Sequence, residues 1–238
     1  CIKAPKGYKI VAADLTTAEV YFAAVLSGDK ALQQVFINMK KNPSKYPDFH
    51  SNIAHMVFNL PCEPAEVADK FPALRQAAKA ITFGILYGSG AASVAEQVNL
   101  AKLKVGQAAD TSKEDAVGYI TTYFNRFPRL KVWIDSCHEE IRRQGFIYNF
   151  FGRKRRLHNI TSSDRSVVGG ELRSGFNAII QSVSSDHLLL GAIDADLLIK
   201  ELGLDAKIFA LVHDSVVAVV KDEDVEAYSA MLVDCLQI

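Results

Sequence analysis

Four large functional side chains recur at every fourth position of the segment 75–88: Arg75, Lys79, Phe83 and Tyr87, with Gly88 closing it. On an α-helix each four-residue step turns only about 40° beyond a full circle, so the four form one gently winding stripe. The stripe is about 18 Å long at the helical rise per residue. It begins with two cations and ends with two aromatic rings. A nucleoside triphosphate has the same plan, a polyanionic tail at one end and a flat base with its sugar at the other. Basic side chains pair with phosphate oxygens, and aromatic faces pack on base or ribose. An ordinary amphipathic helix would not use a half-cationic stripe as its core face, so the segment reads as a ligand-binding helix.

Two aspartates offer the complementary chemistry. Asp14 follows the apolar run Tyr8 to Ala13, and Asp214 lies between the β-rich runs Lys207–Val212 and Ser215–Val220. Either alone is an ordinary turn former or helix cap. If their strands neighbour each other in one sheet, both carboxylates emerge at the same edge and repel. Divalent cations relieve that repulsion. A pair of Mg²⁺ ions about 3.5–4 Å apart serves in-line phosphoryl transfer, and Mg²⁺ needs few protein ligands because water and phosphate complete its shell. A Walker-type phosphate loop is absent: Gly88-Ser-Gly90 runs into Ala91-Ala92 without Gly-Lys-Ser/Thr.

The elements that must hold these groups are legible from periodicity and punctuation. Tyr8–Ala13 reads as a strand, and Thr17–Leu26 as a helix ending at Ser27-Gly28-Asp29. Residues 31–105 read as almost wholly helical, broken at Asn42-Pro43 and around Pro61 to Pro64, with Pro72 near the first turn of the striped helix and Gly88-Ser-Gly90 ending it. Ser112 and Asp115 resemble a capping box. Phe146–Phe151 has strand character and is followed by the basic cluster Arg153–Arg156; Glu171–Leu198 reads as one long helix. The two C-terminal runs, joined only by His213-Asp214, read as a hairpin with Asp214 at its tip. Strands at both ends with helices between predict an α+β unit, a small antiparallel sheet assembled from distant segments with a large, mostly helical insertion.

The chain has 238 residues, 27 basic against 27 acidic, which permits a local basic groove but argues against a protein coated by nucleic acid on all sides. Cys1, Cys62, Cys137 and Cys235 stand singly, as reduced thiols do, with no C-x-x-C pair to suggest zinc. No apolar run approaches the length of a membrane span, and no signal peptide is visible. The first residue is Cys rather than Met and the last residues continue a helical pattern, so the chain reads as an internal piece of a longer protein.

Taken in order, these segments resemble the palm and fingers of a family A DNA polymerase. Asp14-Leu-Thr-Thr-Ala-Glu19 followed by Leu26-Ser-Gly-Asp29 is similar to that family's first motif, the striped helix to its second, and Val212-His-Asp214 to its third. Asp48-Phe-His50, Tyr123-Phe-Asn-Arg-Phe-Pro128, Phe151-Gly-Arg153 and Asn177-x3-Gln181 are further matches, in family order over nearly the whole chain. The resemblance implies a palm at 1–30 and 171–238 enclosing fingers at 31–170, with the nucleotide-binding helix at 74–88. It implies a DNA-directed DNA polymerase in which Asp14 and Asp214 hold two Mg²⁺ ions, with Mn²⁺ as substitute. Arg75, Lys79 and His50 would engage the triphosphate, with Lys79 also aiding catalysis, while Phe83 and Tyr87 pack on sugar and base. Glu19 would lie by the sugar 2′ position and exclude a ribose hydroxyl. Arg173, Asn177 and Gln181 would read the primer–template minor groove, with His213 by the primer terminus. The implied partners are primer–template DNA, deoxynucleoside triphosphates and a processivity factor of the full-length protein, and no membrane; thumb and exonuclease would lie outside these residues. The implied source is a bacteriophage, with the protein in the cytoplasm of its host.

Simpler roles are open at several positions. His50 could be a surface helix residue, Asn177 and Gln181 could hydrogen-bond each other as i, i+4 neighbours, and the run Arg153–Arg156, with Tyr148, Phe150 and Phe151 before it, could be a solvated charge cluster rather than a phosphate contact. The sequence also departs from the family pattern. Ser215 follows His-Asp where the family more often has Glu; Leu15, Thr17 and Tyr21 replace the usual Tyr, Gln and Arg; Thr82 stands where Asn is frequent. Single-subunit RNA polymerases share the Arg-x3-Lys-x7-Tyr-Gly helix and often read His-Asp-Ser, but Glu19 as a sugar gate has no purpose in them. A non-catalytic nucleic-acid-binding remnant is the remaining alternative, and the retention of both aspartates and the stripe argues against it.

Overall fold

The computed structural model describes residues 2–237, so Cys1 and Ile238 lie outside it. In chain order the elements are β1 (Tyr8–Asp14), α1 (Ala18–Ser27), α2 (Lys30–Lys41), α3 (Phe49–Phe58), the short α4 (Val67–Lys70), α5 (Pro72–Leu86), α6 (Ala91–Lys104), α7 (Lys113–Arg126), α8 (Pro128–Gln144), β2 (Phe146–Tyr148), β3 (Lys154–Arg156), α9 (Arg165–Glu201), β4 (Ala206–Val212), β5 (Ser215–Lys221) and α10 (Val225–Leu236). The α+β class is as expected. The chain divides into two compact units, one comprising 1–19, 149–153 and 180–238, the other 20–148 and 154–179.

The first unit is built on a three-stranded antiparallel sheet of order β1-β5-β4. β5 is central because its run of Val and Ala suits a strand paired on both sides. Val216, Ala218 and Val220 alternate into the core, each fully buried, on the side of the sheet where α10 packs with Tyr228, Met231, Leu232 and Leu236 buried. α9 and α10 approach closely at Gly191, where a Cβ would meet the Cys235 carbonyl oxygen and a Leu236 methyl at 2.7 Å each. The hairpin turn carries its positive φ (56°) on His213, at the position a type II′ turn usually gives to Gly.

The second unit is helical and centred on α5. Pro72 occupies its first turn, and Ala73, Ala77, Ala78, Ile81, Thr82, Ile85 and Leu86 are buried, the small residues letting α3 and α6 pack close. Ser112 and Asp115 form the expected capping box on α7. α8 starts with Pro128 and ends at Gly145 in the left-handed region. Asp29, 1% exposed, caps α2 through Leu32 N–H and also accepts the backbone N–H groups of Arg129 and Leu130 at the start of α8, at 2.9 and 3.1 Å. One carboxylate thus completes two helix N-termini.

The division between the two compact units falls within α1 and within α9. Val20, Ala23 and Ala24 of α1 are fully buried and Asp29 is tied to α8, so residues 20–30 belong with the helices. The first part of α9 likewise packs on α8, with Phe176 edge-on to Trp133 at 5.0 Å and a Cβ on Gly175 meeting Ile141 at 2.6 Å. The strand expected over 146–151 is shorter: β2 ends at Tyr148, a turn follows, and Lys154–Arg156 of the basic cluster form the paired strand β3. The turn is tied to the first unit because Asn149 Nδ2 donates to Ser182 Oγ (2.8 Å) and to buried Asp186 (3.0 Å), which also pairs with Arg153. Cys62, Cys137 and Cys235 are free thiols.

Candidate active site

In the first unit, β1 pairs antiparallel with β5 in the register Asp14↔Ser215, while β4 pairs Val212 with Ser215. Asp14 and Asp214 therefore come to the same end of the sheet, although 200 residues separate them in sequence. The Leu15 N–H donates to the Asp214 carbonyl at 3.0 Å, and the Ser215 hydroxyl donates to Asp14 Oδ1 at 2.5 Å. Asp14 and His213 are exposed; Asp214 and Ser215 are half-buried. Thr17, in the turn that carries the chain from β1 into α1, has φ 57°, a conformation rare for a β-branched residue. Glu19 follows in the first turn of α1, half-buried.

Two carboxylates at one end of one sheet, Asp14 exposed and Asp214 half-buried, are hard oxygen donors, and this donor set suits Mg²⁺ or Mn²⁺. Among the described residues no group of three or more His, Cys, Asp and Glu side chains is gathered to hold a metal, so a closed protein cage is not what these residues offer.

The striped helix lies wholly in the second unit. It runs from Pro72 to Leu86 rather than from 74 to 88, with Tyr87 as its C-cap. Arg75 is half-buried and Lys79 exposed, and the Phe83 and Tyr87 rings stack with centroids 5.9 Å apart at 15°. Arg75 is not free. Its Nε donates to Asp48 Oδ2 and to Ser51 Oγ, both at 3.2 Å, and its Nη2 lies 3.1 Å from Asp48 Oδ1. Asp48 also accepts the Ser51 N–H and hydroxyl, and so caps α3. Burial works against the Asp48 carboxylate, but the hydrogen bonds from Ser51 and Arg75 outweigh it and hold its pKa below the ordinary value. Sequence reasoning noted Asp48 only as part of a motif; its place one residue before a helix, as an Asx cap, was the available signal.

His50 is 7% exposed rather than a surface residue. It sits beside Phe49 and 5.8 Å from the Phe83 ring. Burial pushes its pKa down to about 4, with the nearby Lys79 and Arg75 adding to the effect and Asp48 opposing it. The imidazole is therefore neutral at pH 7, and its buried Nδ1 has no hydrogen-bond partner.

On α9, Arg173 is exposed, Asn177 half-buried and Gln181 exposed. The Asn177 Oδ1 is buried and accepts no hydrogen bond, so the simple pairing of Asn177 with Gln181 does not use it. Arg173 lies over Gly88: a Cβ there would meet its Cγ at 2.6 Å and its Cδ at 3.1 Å, and Gly88 has φ +66°. This is why Gly must follow Tyr87, a requirement that the segment 75–88 does not reveal by itself. Tyr148, Phe150 and Phe151 are exposed, and Lys154 lies 3.5 Å from the Phe146 ring centroid, so the aromatics expected near the basic cluster are at the surface.

The family model for DNA polymerase family A matches residues 1–238. The chain belongs to that family. It is 63% identical to a DNA polymerase of Escherichia phage T5 over all of this chain and 28% of the relative, and 29% identical to the thermostable DNA polymerase I of Thermus aquaticus over 98% of this chain and 25% of the relative. The POL domain of Pol1 from M. smegmatis, solved in complex with DNA primer–template and dNTP, matches with a TM-score of 0.81 and 26% identity over 98% of this chain and 37% of that one. The chain thus spans about a quarter of the length of the curated relatives it matches. Among the described residues no helix is long and apolar enough to cross a membrane.

Proposed function

We propose that this chain carries the catalytic and nucleotide-binding residues of a template-directed DNA polymerase, the sheet unit acting as palm and the helical unit as fingers. The observation that carries the reading is the pairing of β1 with β5, which brings Asp14 and Asp214 to one end of one sheet in a chain of this family. Asp14 and Asp214 would hold divalent cations there, Mg²⁺ or Mn²⁺. Such ions stabilise the attacking and leaving oxygens of an in-line displacement at phosphorus.

The remaining roles follow from the side chains. Lys79, exposed on α5, supplies a mobile point charge for the triphosphate and the departing pyrophosphate. Arg75 is held by Asp48 and Ser51 through one edge of its fork, which fixes the position of the rest of the guanidinium for phosphate oxygens. His50, neutral, contributes a hydrogen bond rather than a charge. The stacked Phe83 and Tyr87 rings offer apolar faces to sugar and base. Glu19 excludes a 2′-hydroxyl, and Arg173, Asn177, Gln181 and His213 contact primer–template DNA, where the paired bases share minor-groove acceptors. Primer–template and dNTP are the ligands in the solved M. smegmatis neighbour, which supports this choice.

The test is primer extension by the protein within its parent polymerase, with deoxyribonucleotides and ribonucleotides in parallel and Asp214→Asn as control. Mg²⁺-dependent DNA synthesis that the control lacks is the expected result. Preferential RNA synthesis, or undiminished synthesis by the control, would overturn it.

A further inference from the structure

Ser215 is one of the points at which this chain departs from the residues its family resemblance leads one to expect, and the structure gives the replacement a contact. It sits on the central strand β5, directly across the ladder from Asp14 on β1. Directly opposed residues of an antiparallel pair have Cβ atoms about 4.5–5.5 Å apart, close enough for two short side chains to touch. The Ser215 hydroxyl donates to Asp14 Oδ1 at 2.5 Å, in the range of a charge-assisted O–H···O⁻ bond. The backbone on both sides is fixed. The Leu15 N–H binds the Asp214 carbonyl, and β5 is paired to β4 as well as to β1.

We infer that Ser215 is a positioning residue: its hydroxyl fixes the Asp14 carboxylate so that its remaining lone pairs are presented to a divalent cation, a role that rests on the metal reading of Asp14 and Asp214. Asp14 is an exposed side chain at the end of a strand and would otherwise sample several rotamers. Every cation bound would then have to select one of them. A hydroxyl can hold the carboxylate because it is a donor. A carboxylate at position 215 is acceptor-only when ionised, adds a third negative charge at the strand end and cannot make this bond. Partners that orient metal ligands in this way are worth about 10–100-fold in metal affinity when removed.

The experiment is Mn²⁺ titration of the 238-residue chain, read by electron paramagnetic resonance, on the wild type, Asp14→Asn, and the isosteric pair Ser215→Thr and Ser215→Val. Thr keeps the hydroxyl and Val replaces it with a methyl group at the same volume, both being well suited to a strand. Asp14→Asn is expected to lose the site, Ser215→Thr to bind within about twofold of wild type, and Ser215→Val to bind about tenfold more weakly with an unchanged melting temperature. Ser215→Val binding as tightly as Ser215→Thr, while Asp14→Asn loses the site, would overturn the role of Ser215 and leave the metal assignment standing. Wild type and Asp14→Asn binding alike would remove the metal assignment itself and the inference with it.

Discussion

Replacing Gly88 with Ala tests a contact that joins the proposed nucleotide-binding helix to a proposed DNA-binding residue. Gly88 has φ +66°, so any L side chain there costs about 1–2 kcal/mol in backbone strain. The new methyl would also stand 2.6 Å from Arg173 Cγ and 3.1 Å from its Cδ, where carbon contacts favour about 3.5–4.0 Å. Because the clash is near the base of the side chain, Arg173 must leave its rotamer rather than bend at its tip, at a further cost of about 0.5–1.5 kcal/mol. The sum, about 1.5–3.5 kcal/mol, corresponds to a fall in melting temperature of roughly 5–10 °C for a chain of this size. In an Arg173→Ala background Cγ and Cδ are gone and only the backbone term, about 1–2 kcal/mol, should remain. Denaturant unfolding of wild type, both single variants and the double variant measures the difference. A parallel titration of primer–template by fluorescence anisotropy should show Gly88→Ala weakening binding in the wild-type background and having no further effect once Arg173 is absent. Equal cost of Gly88→Ala in both backgrounds, within about 0.3 kcal/mol, would refute the steric argument.

Two further outcomes follow from the cluster under α5. His50 has its pKa lowered from 6.5 to about 4 by burial, so between those values the unfolded chain binds a proton that the folded chain refuses. Stability from this group is therefore present above pH 6.5 and falls as pH drops, by about 2 kcal/mol at pH 5 relative to pH 7; urea midpoints should show His50→Gln losing less than wild type over that interval, and parallel curves would contradict it. Asp48 both caps α3 and pairs with Arg75. Asp48→Ala should cost about 2–3 kcal/mol and Asp48→Asn, which keeps the cap but not the ion pair, about 1 kcal/mol; equal losses in equilibrium unfolding would show that the cap contributes nothing.

The helical stripe was legible because its information is local. Arg75, Lys79, Phe83 and Tyr87 are neighbours by virtue of helix geometry alone, and Pro72 and Gly88 mark the ends of their helix within a turn. The hairpin around His213-Asp214 was legible for the same reason, as two β-rich runs with a two-residue connection. Capping boxes and proline starts were equally readable, since each involves residues three or four apart.

What could not be read was every relation between residues distant in the chain. That β1 lies against β5, and so carries Asp14 to Asp214 and to the Ser215 hydroxyl, depends on strand order, and no local pattern distinguishes β5 from β4 as its neighbour. The division into two compact units falls inside the continuous helices α1 and α9, where no local pattern marks it, because periodicity reports a helix without reporting what it packs against. Asp29 looked like part of a catalytic motif, yet its carboxylate completes two helix N-termini, one of them a hundred residues away. His50 looked as much like a surface residue as a ligand; burial beside Phe49, Phe83 and Lys79 decides its protonation. The residue types and their spacing determined which chemistry this protein can offer. Tertiary structure alone decided which of those groups meet and in what state of charge, because strand pairing and desolvation are properties of the packed chain.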